Sequence, residues 1–204
     1  MKKFFAILIA LSLALSLAAC GEAPEADNGG ISVVATTFAP YDFARQLVGD
    51  MGTVSMLLPP GSESHSYEPT PKDILEIQNA DVFIYVGGES DAWVTDVLES
   101  VGEGVRAVTL MDCVELLEEE TVEGMEAEVH DHEHGEAGHE AEYDEHVWTS
   151  PRNAALICEK IAAALCEADP ANASVYNANL AVYSAELAKL DAAFTGIVAD
   201  GARK

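Results

Sequence analysis

Positive charge is scarce in this chain. Its 204 residues carry 10 Lys and Arg against 36 Asp and Glu, a formal net charge of −26. Nucleic acid is held largely through basic side chains on its phosphates, so it is excluded as a partner, and a cation is the natural counterpart. Cysteine is scarce as well: there are four, Cys20, Cys113, Cys158 and Cys166. No two make a CxxC pair, which excludes a structural zinc site of that type. Cys158 and Cys166 fall on one expected helix, roughly 12 Å apart along its axis, and a disulfide tolerates at most about 7 Å between Cα atoms. Cys113, Cys158 and Cys166 therefore read as small core residues. GxSxG and P-loop motifs are missing, and there is no internal repeat. His139-Glu140-Ala141-Glu142-Tyr143 starts like HExxH but lacks the second His, which counts against a zinc-dependent hydrolase. No apolar run reaches the roughly 20 residues that a membrane-spanning helix needs.

What is present begins with an export signal. Met1-Lys2-Lys3 is a basic start, Phe4 to Ala19 is an uncharged apolar run, and Leu17-Ala18-Ala19-Cys20 closes it with small residues. Residues 1–19 thus read as a signal peptide. The closing Leu-Ala-Ala-Cys before Gly21 looks like a bacterial lipobox, whose Cys becomes a lipidated N-terminus. Lipid on Cys20 would anchor an extracytoplasmic protein to the bacterial cell membrane. Residues 20–30 then form a flexible tether, rich in Pro, Gly and acid.

About half of the residues are hydrophobic, enough to bury a core. Strand and helix signals alternate from Ile31 onward. Strands are expected over Ile31–Thr36, Val54–Leu58, Asp81–Val86 and Val105–Leu110. Helices are expected over Tyr41–Val48, Lys72–Asn79 with Thr70 as cap and Pro71 opening, and Asp91–Val101 with Trp93, Val97 and Val101 on one face. Such alternation predicts an α/β lobe with a parallel sheet flanked by helices over residues 31–150. Residues 117–145 interrupt it with 13 acids, four histidines and no Lys or Arg, and are expected to be a mobile loop. Order should resume at Val147-Trp148. Residues 151–204 hold a helix from Pro151 to about Ala168 and a longer one after Pro170. The longer helix carries Tyr176, Leu180, Tyr183, Leu187, Leu190, Phe194 and Ile197 as one apolar stripe. That stripe suits a spine packed along the lobe, with a coiled-coil dimer as the rival.

Of the six histidines, His65 and His146 stand apart and four cluster in the acidic loop. His65 follows the strand ending near Leu58, and ligands of open α/β sheets bind beyond the carboxyl ends of strands. Neutral imidazole suits zinc and similar metals, and Glu68 could accept a bond from the other ring nitrogen of His65. His146 precedes Trp148, which if buried would exclude water and fix the ring. His130, His132, His134 and His139 alternate with carboxylates and could hold zinc loosely as auxiliary donors.

The segments His65–Asp73, HSYEPTPKD, and Glu145–Ala154, EHVWTSPRNA, resemble the metal-binding solute-binding proteins of ABC importers. This zinc and manganese family includes ZnuA-like proteins and streptococcal adhesin lipoproteins. The resemblance covers essentially Ile31 to Lys204. It implies that the protein captures Zn2+ outside the membrane and delivers it to a membrane permease without turnover chemistry. Mn2+ or iron is the alternative cargo, and a surface adhesin lipoprotein the alternative role. It further implies that His65 and His146 are the first two metal ligands, with the remaining donors on a second lobe beyond the long helix. No such lobe is recognised in these residues, and a fragment is the expectation. The family usually has Pro where Glu145 stands here.

Overall fold

The computed structural model describes residues 29–62, 66–118 and 143–201. Four strands, β1 (Ile31–Ala35), β2 (Gly52–Met56), β3 (Val82–Tyr85) and β4 (Arg106–Thr109), form one sheet in the order β2-β1-β3-β4. All neighbouring pairs are parallel. The intervening helices are α1 (Phe38–Val48), α2 (Pro71–Gln78) and α3 (Trp93–Val101), followed by α4 (Pro151–Ala168) and α5 (Ala173–Asp200). The expected parallel α/β lobe is therefore found.

Side chains alternate across the central strands, as the pleat requires. Ile31, Val33, Ala35, Val82 and Ile84 face α1, α4 and the start of α5, where they meet Leu47, Ile157, Ile161, Leu165 and Tyr176. Val34 and Phe83 point the other way, onto Ile77 of α2 and Val94 and Val97 of α3. The chain moves outward from β1 to β2 and then back across to β3. With right-handed crossovers, α1 lies on one face and α2 and α3 on the other.

Local chemistry fixes the helix starts. Thr70 caps α2 through a reciprocal pair with Asp73: the Asp73 N–H donates to Thr70 Oγ1, and the Asp73 carboxylate accepts from the Thr70 N–H at 2.8 Å. Pro71 fills the first helical position, where no N–H is needed. At α4 the Asn153 N–H donates to Ser150 Oγ at 3.5 Å, a one-way cap, and Pro151 again opens the helix.

Four expectations need correction. Strand β2 starts at Gly52 rather than Val54, because Gly52 lies against the Ile31 carbonyl, where a Cβ would overlap it. That close approach of two backbones leaves no apolar mark in the sequence. Helix α3 starts at Trp93 rather than Asp91, after a 3-10 turn over Glu89–Asp91, while Trp93, Val97 and Val101 pack on one core as expected, with Val94 buried beside them. Tyr143 and Asp144, inside the expected loop 117–145, are already ordered ahead of Val147. Glu118 and Tyr143 form an antiparallel bridge, and the Asp144 N–H donates to the Leu117 carbonyl at 3.0 Å. Finally, only the first half of the α5 stripe is covered. Tyr176 and Leu187 are buried, and Leu180 and Tyr183 pack partly against the core. Leu190, Phe194 and Ile197 are 46%, 51% and 69% exposed. A helix of 28 residues is about 42 Å long, and it outruns the lobe that it packs on.

Cys158 is fully buried, Cys113 and Cys166 partly so, and all three are free thiols. Burial pushes the Cys158 thiol up to about 12 and that of Cys113 up to about 11, so neither is a reactive nucleophile. Among the described residues no helix is long and apolar enough to cross a membrane.

Candidate metal site

The reversal of strand order lies between β1 and β3, whose following segments diverge to opposite faces of the sheet. Crevices of this kind are where open α/β sheets bind ligands. Here the crevice is lined by Thr37 after β1, by Val86, Ser90 and Asp91 after β3, and by Glu145, His146 and Trp148. It encloses a cavity of about 40 Å³. Beside it a wider cleft of about 320 Å³ opens between the start of α1, the exit of β2 from Leu58 to Ser62, and the rings of His146 and Trp148.

His146 sits where these two spaces meet. Asp144 Oδ1 accepts from the His146 backbone N–H at 2.8 Å and lies 2.8 Å from the ring Nδ1. The His146 carbonyl in turn accepts from Thr149 Oγ1 at 2.8 Å. With Nδ1–H directed to Asp144, the neutral ring keeps its Nε2 lone pair free, the arrangement typical of a metal-ligating His. The hydrogen bonds from the His146 backbone and ring hold the Asp144 carboxyl below the usual carboxylate range. The expectation of a buried Trp148 is corrected: it is half-buried, with its ring 5.4 Å from that of an exposed His146. The segment lies at the lip of the lobe, so Trp148 covers only one side of the histidine.

The residue before His146 is tied into the β3–α3 turn. Glu145 Oε1 accepts from the Glu89 N–H and from the Ser90 N–H, the latter at 3.2 Å. Asp91, 7% exposed, accepts from the N–H groups of Val86 at 2.7 Å and Gly87 at 3.1 Å. Burial raises its carboxyl to about 6, against the pull of these bonds and with help from the Glu145 charge. Asp144 and Asp91 escaped the reading of the sequence, and Glu145 stood out only as a departure from the family's usual Pro. A carboxylate two residues before a His was the available signal for Asp144. Nothing in the letters gave Glu145 a partner, and Asp91 looked like one acid among many.

The other expected site residues have the following places. Ser62, three residues before His65, lines the wide cleft, and the chain is described again from Ser66. Tyr67 donates through its hydroxyl to Asp73 at 2.9 Å, and Glu68 is exposed. His65, His130, His132, His134, His139 and Cys20 lie outside the described residues. Among the described residues no group of three or more His, Cys, Asp or Glu side chains converges on a common metal position.

Fold and cleft together define a doubly wound α/β lobe with a carboxylate-oriented histidine at its switch point. The chain belongs to the family described as "Zinc-uptake complex component A periplasmic", whose model matches residues 33–204. It is 34% identical over all of its length to the zinc-binding lipoprotein AdcA of Streptococcus pneumoniae, covering 40% of that protein. It is 37% identical to the high-affinity zinc uptake system protein ZnuA of Bacillus subtilis, over 87% of this chain and 56% of that one. The crystal structure of Zn(II)-bound AdcA from Streptococcus pneumoniae superimposes with a TM-score of 0.66 at 29% identity, over 81% of this chain and 32% of the other. The chain therefore spans roughly half or less of the length of these relatives.

Proposed function

We propose that this chain forms the metal-capturing lobe of the extracytoplasmic substrate-binding component of an ABC importer, with Zn2+ as its cargo. The observation that carries this reading is His146, whose Nδ1 is held by Asp144 at the mouth of the switch-point cleft. Such a ring offers a neutral nitrogen donor that needs no reorganisation when a borderline metal arrives. His65, three residues beyond the cleft-lining Ser62, is the second donor. Zinc normally takes four donors, so the remainder would come from a further lobe reached along α5. The exposed second half of the α5 stripe supports that arrangement. Lipid on Cys20 would keep the protein beside its permease, and the work required is binding and release without turnover. The zinc bound by AdcA and named for ZnuA supports zinc as the cargo.

His130, His132, His134 and His139 are proposed as weak auxiliary sites that raise the local zinc concentration. Competitive chelator titration with zinc tests the site. His65→Ala and His146→Ala should each weaken the tight site, whereas deletion of residues 130–139 should lower only the zinc stoichiometry. Unchanged tight-site affinity in both single variants of a chain that includes the further lobe would show that the donors are other residues. Binding should weaken as pH falls into the range where imidazoles ordinarily protonate, because the metal must displace those protons.

A further inference from the structure

We infer that Glu145 is a positioning residue for His146: its carboxylate latches the His146 segment to the β3–α3 turn, and zinc at His146 is held through that latch. The inference rests on the reading of His146 as a zinc donor. Glu145 is adjacent to His146 in sequence, yet its side chain is spent on backbone N–H groups of Glu89 and Ser90, 56 and 55 residues away. The turn is shaped to receive it. Gly88 holds φ at +75°, a conformation that side chains rarely adopt, and a Cβ there would overlap the Glu145 carboxylate. From the opposite side, Asp91 takes the N–H groups of Val86 and Gly87. Two carboxylates thus occupy the donors of a single short turn, one pinning it to the lobe and the other pinning the histidine segment to it.

Bonds from N–H groups to a carboxylate are charge-assisted and stronger than neutral ones. The latch acts on the backbone next to His146, whereas Asp144 acts on the ring. Val147, 7% exposed, also anchors the segment in the core, so the segment has a second hold and the lobe does not need Glu145 to fold. What the latch adds is the angle at which His146 meets the cleft. Zinc bound at His146 should therefore tighten the Glu145 contacts with Glu89 and Ser90, and loss of those contacts should loosen zinc.

The test uses the full-length protein with His130, His132, His134 and His139 changed to Ala, so that zinc reports the cleft. Zinc alone is the probe. Affinity is read by chelator competition, and amide hydrogen exchange is followed at Glu89 and Ser90. Zinc should slow exchange at these two amides in the parent. Glu145→Ala should speed their exchange, abolish the zinc effect on it, and weaken zinc binding by about 10- to 100-fold, the range for groups that orient a metal ligand. Glu145→Gln keeps a carbonyl acceptor without the charge and should recover most of the affinity. In a His146→Ala background, Glu145→Ala should cost nothing further. If Glu145→Ala binds zinc as tightly as the parent while His146→Ala is weakened, the latch is overturned and the site reading stands. Equal losses in Glu145→Gln and Glu145→Ala would overturn it too, in favour of a purely electrostatic role. Unchanged affinity in His146→Ala would sink the site reading and the latch together.

Discussion

Asp144 holds His146 at two points with one oxygen: Oδ1 accepts the His146 backbone N–H and lies 2.8 Å from the imidazole Nδ1. This contact between residues two apart sets the direction of the ring, and a neutral imidazole there places its proton on Nδ1, facing the carboxylate. If zinc binds at Nε2, Asp144→Ala should weaken it about 10- to 100-fold, the usual cost of removing a partner that orients a metal-bound His. Asp144→Asn should lie between, because its side-chain oxygen still accepts but carries no charge. Chelator competition ranks the three proteins. Equal affinity for parent and Asp144→Ala would mean that the ring is oriented by something else.

Asp91 predicts a pH dependence of stability. Its carboxyl titrates near 6 in the folded lobe, against about 3.9 when unfolded. Between those values the folded state binds the extra proton, so Asp91 favours folding as pH falls from about 6 to about 4. Above pH 6 its buried charge is a full penalty, on the order of 2–3 kcal/mol. Asp91→Asn should be more stable than the parent at pH 7 and lose that advantage by pH 4. Urea unfolding at both values measures the difference. A constant gap between the two proteins across this range would show that Asp91 does not titrate there.

The Thr70–Asp73 pair should stabilise the lobe where the His65 segment enters α2. The Asp73 carboxylate accepts from the Thr70 N–H, from Thr70 Oγ1 and from the Tyr67 hydroxyl. Burial opposes ionisation of Asp73, yet these bonds outweigh it and hold the carboxyl below its ordinary value. Its contribution is present above about pH 4 and is lost as pH falls through the lowered value. Thr70→Ala should cost about 1 kcal/mol, as loss of a helix cap does. Asp73→Ala removes three acceptor contacts and should cost more. Chemical denaturation at pH 7 checks the order, and a larger loss for Thr70→Ala would contradict it.

The α5 stripe should divide sharply in its energetics. Leu187 is 8% exposed, so Leu187→Ala should cost about 2–4 kcal/mol. Phe194→Ala and Ile197→Ala should cost no more than about 0.5 kcal/mol in this 204-residue chain, because both side chains face solvent. Thermal or urea unfolding separates the two halves. A large loss at Phe194 would reveal that something packs on it in solution.

Much of the lobe was legible because its signals are local. β-branched runs alternating with helical spacing marked the parallel sheet. Thr70-Pro71 and Pro151 marked helix starts to the residue. The two His-containing segments marked the candidate site. Boundaries went astray where a distant backbone intervened, as at Gly52 against Ile31. The expected loop took in Tyr143, Asp144 and Glu145, because these three look in sequence like the rest of the acid run.

The sequence by itself determined the order of strands and helices and the cap at Thr70, since each depends on neighbours within a few positions. Tertiary structure decided what the side chains on them are attached to. The partners of Glu145 lie more than 50 positions away, and nothing in the alternation of letters distinguishes a latched carboxylate from a solvated one. The covered length of α5 was decided in the same way. Its stripe is continuous in sequence from Tyr176 to Ile197, but the lobe beneath it ends near Leu187. Burial is set by what another part of the chain can reach, and hydrophobic periodicity records only the face that is ready to be buried.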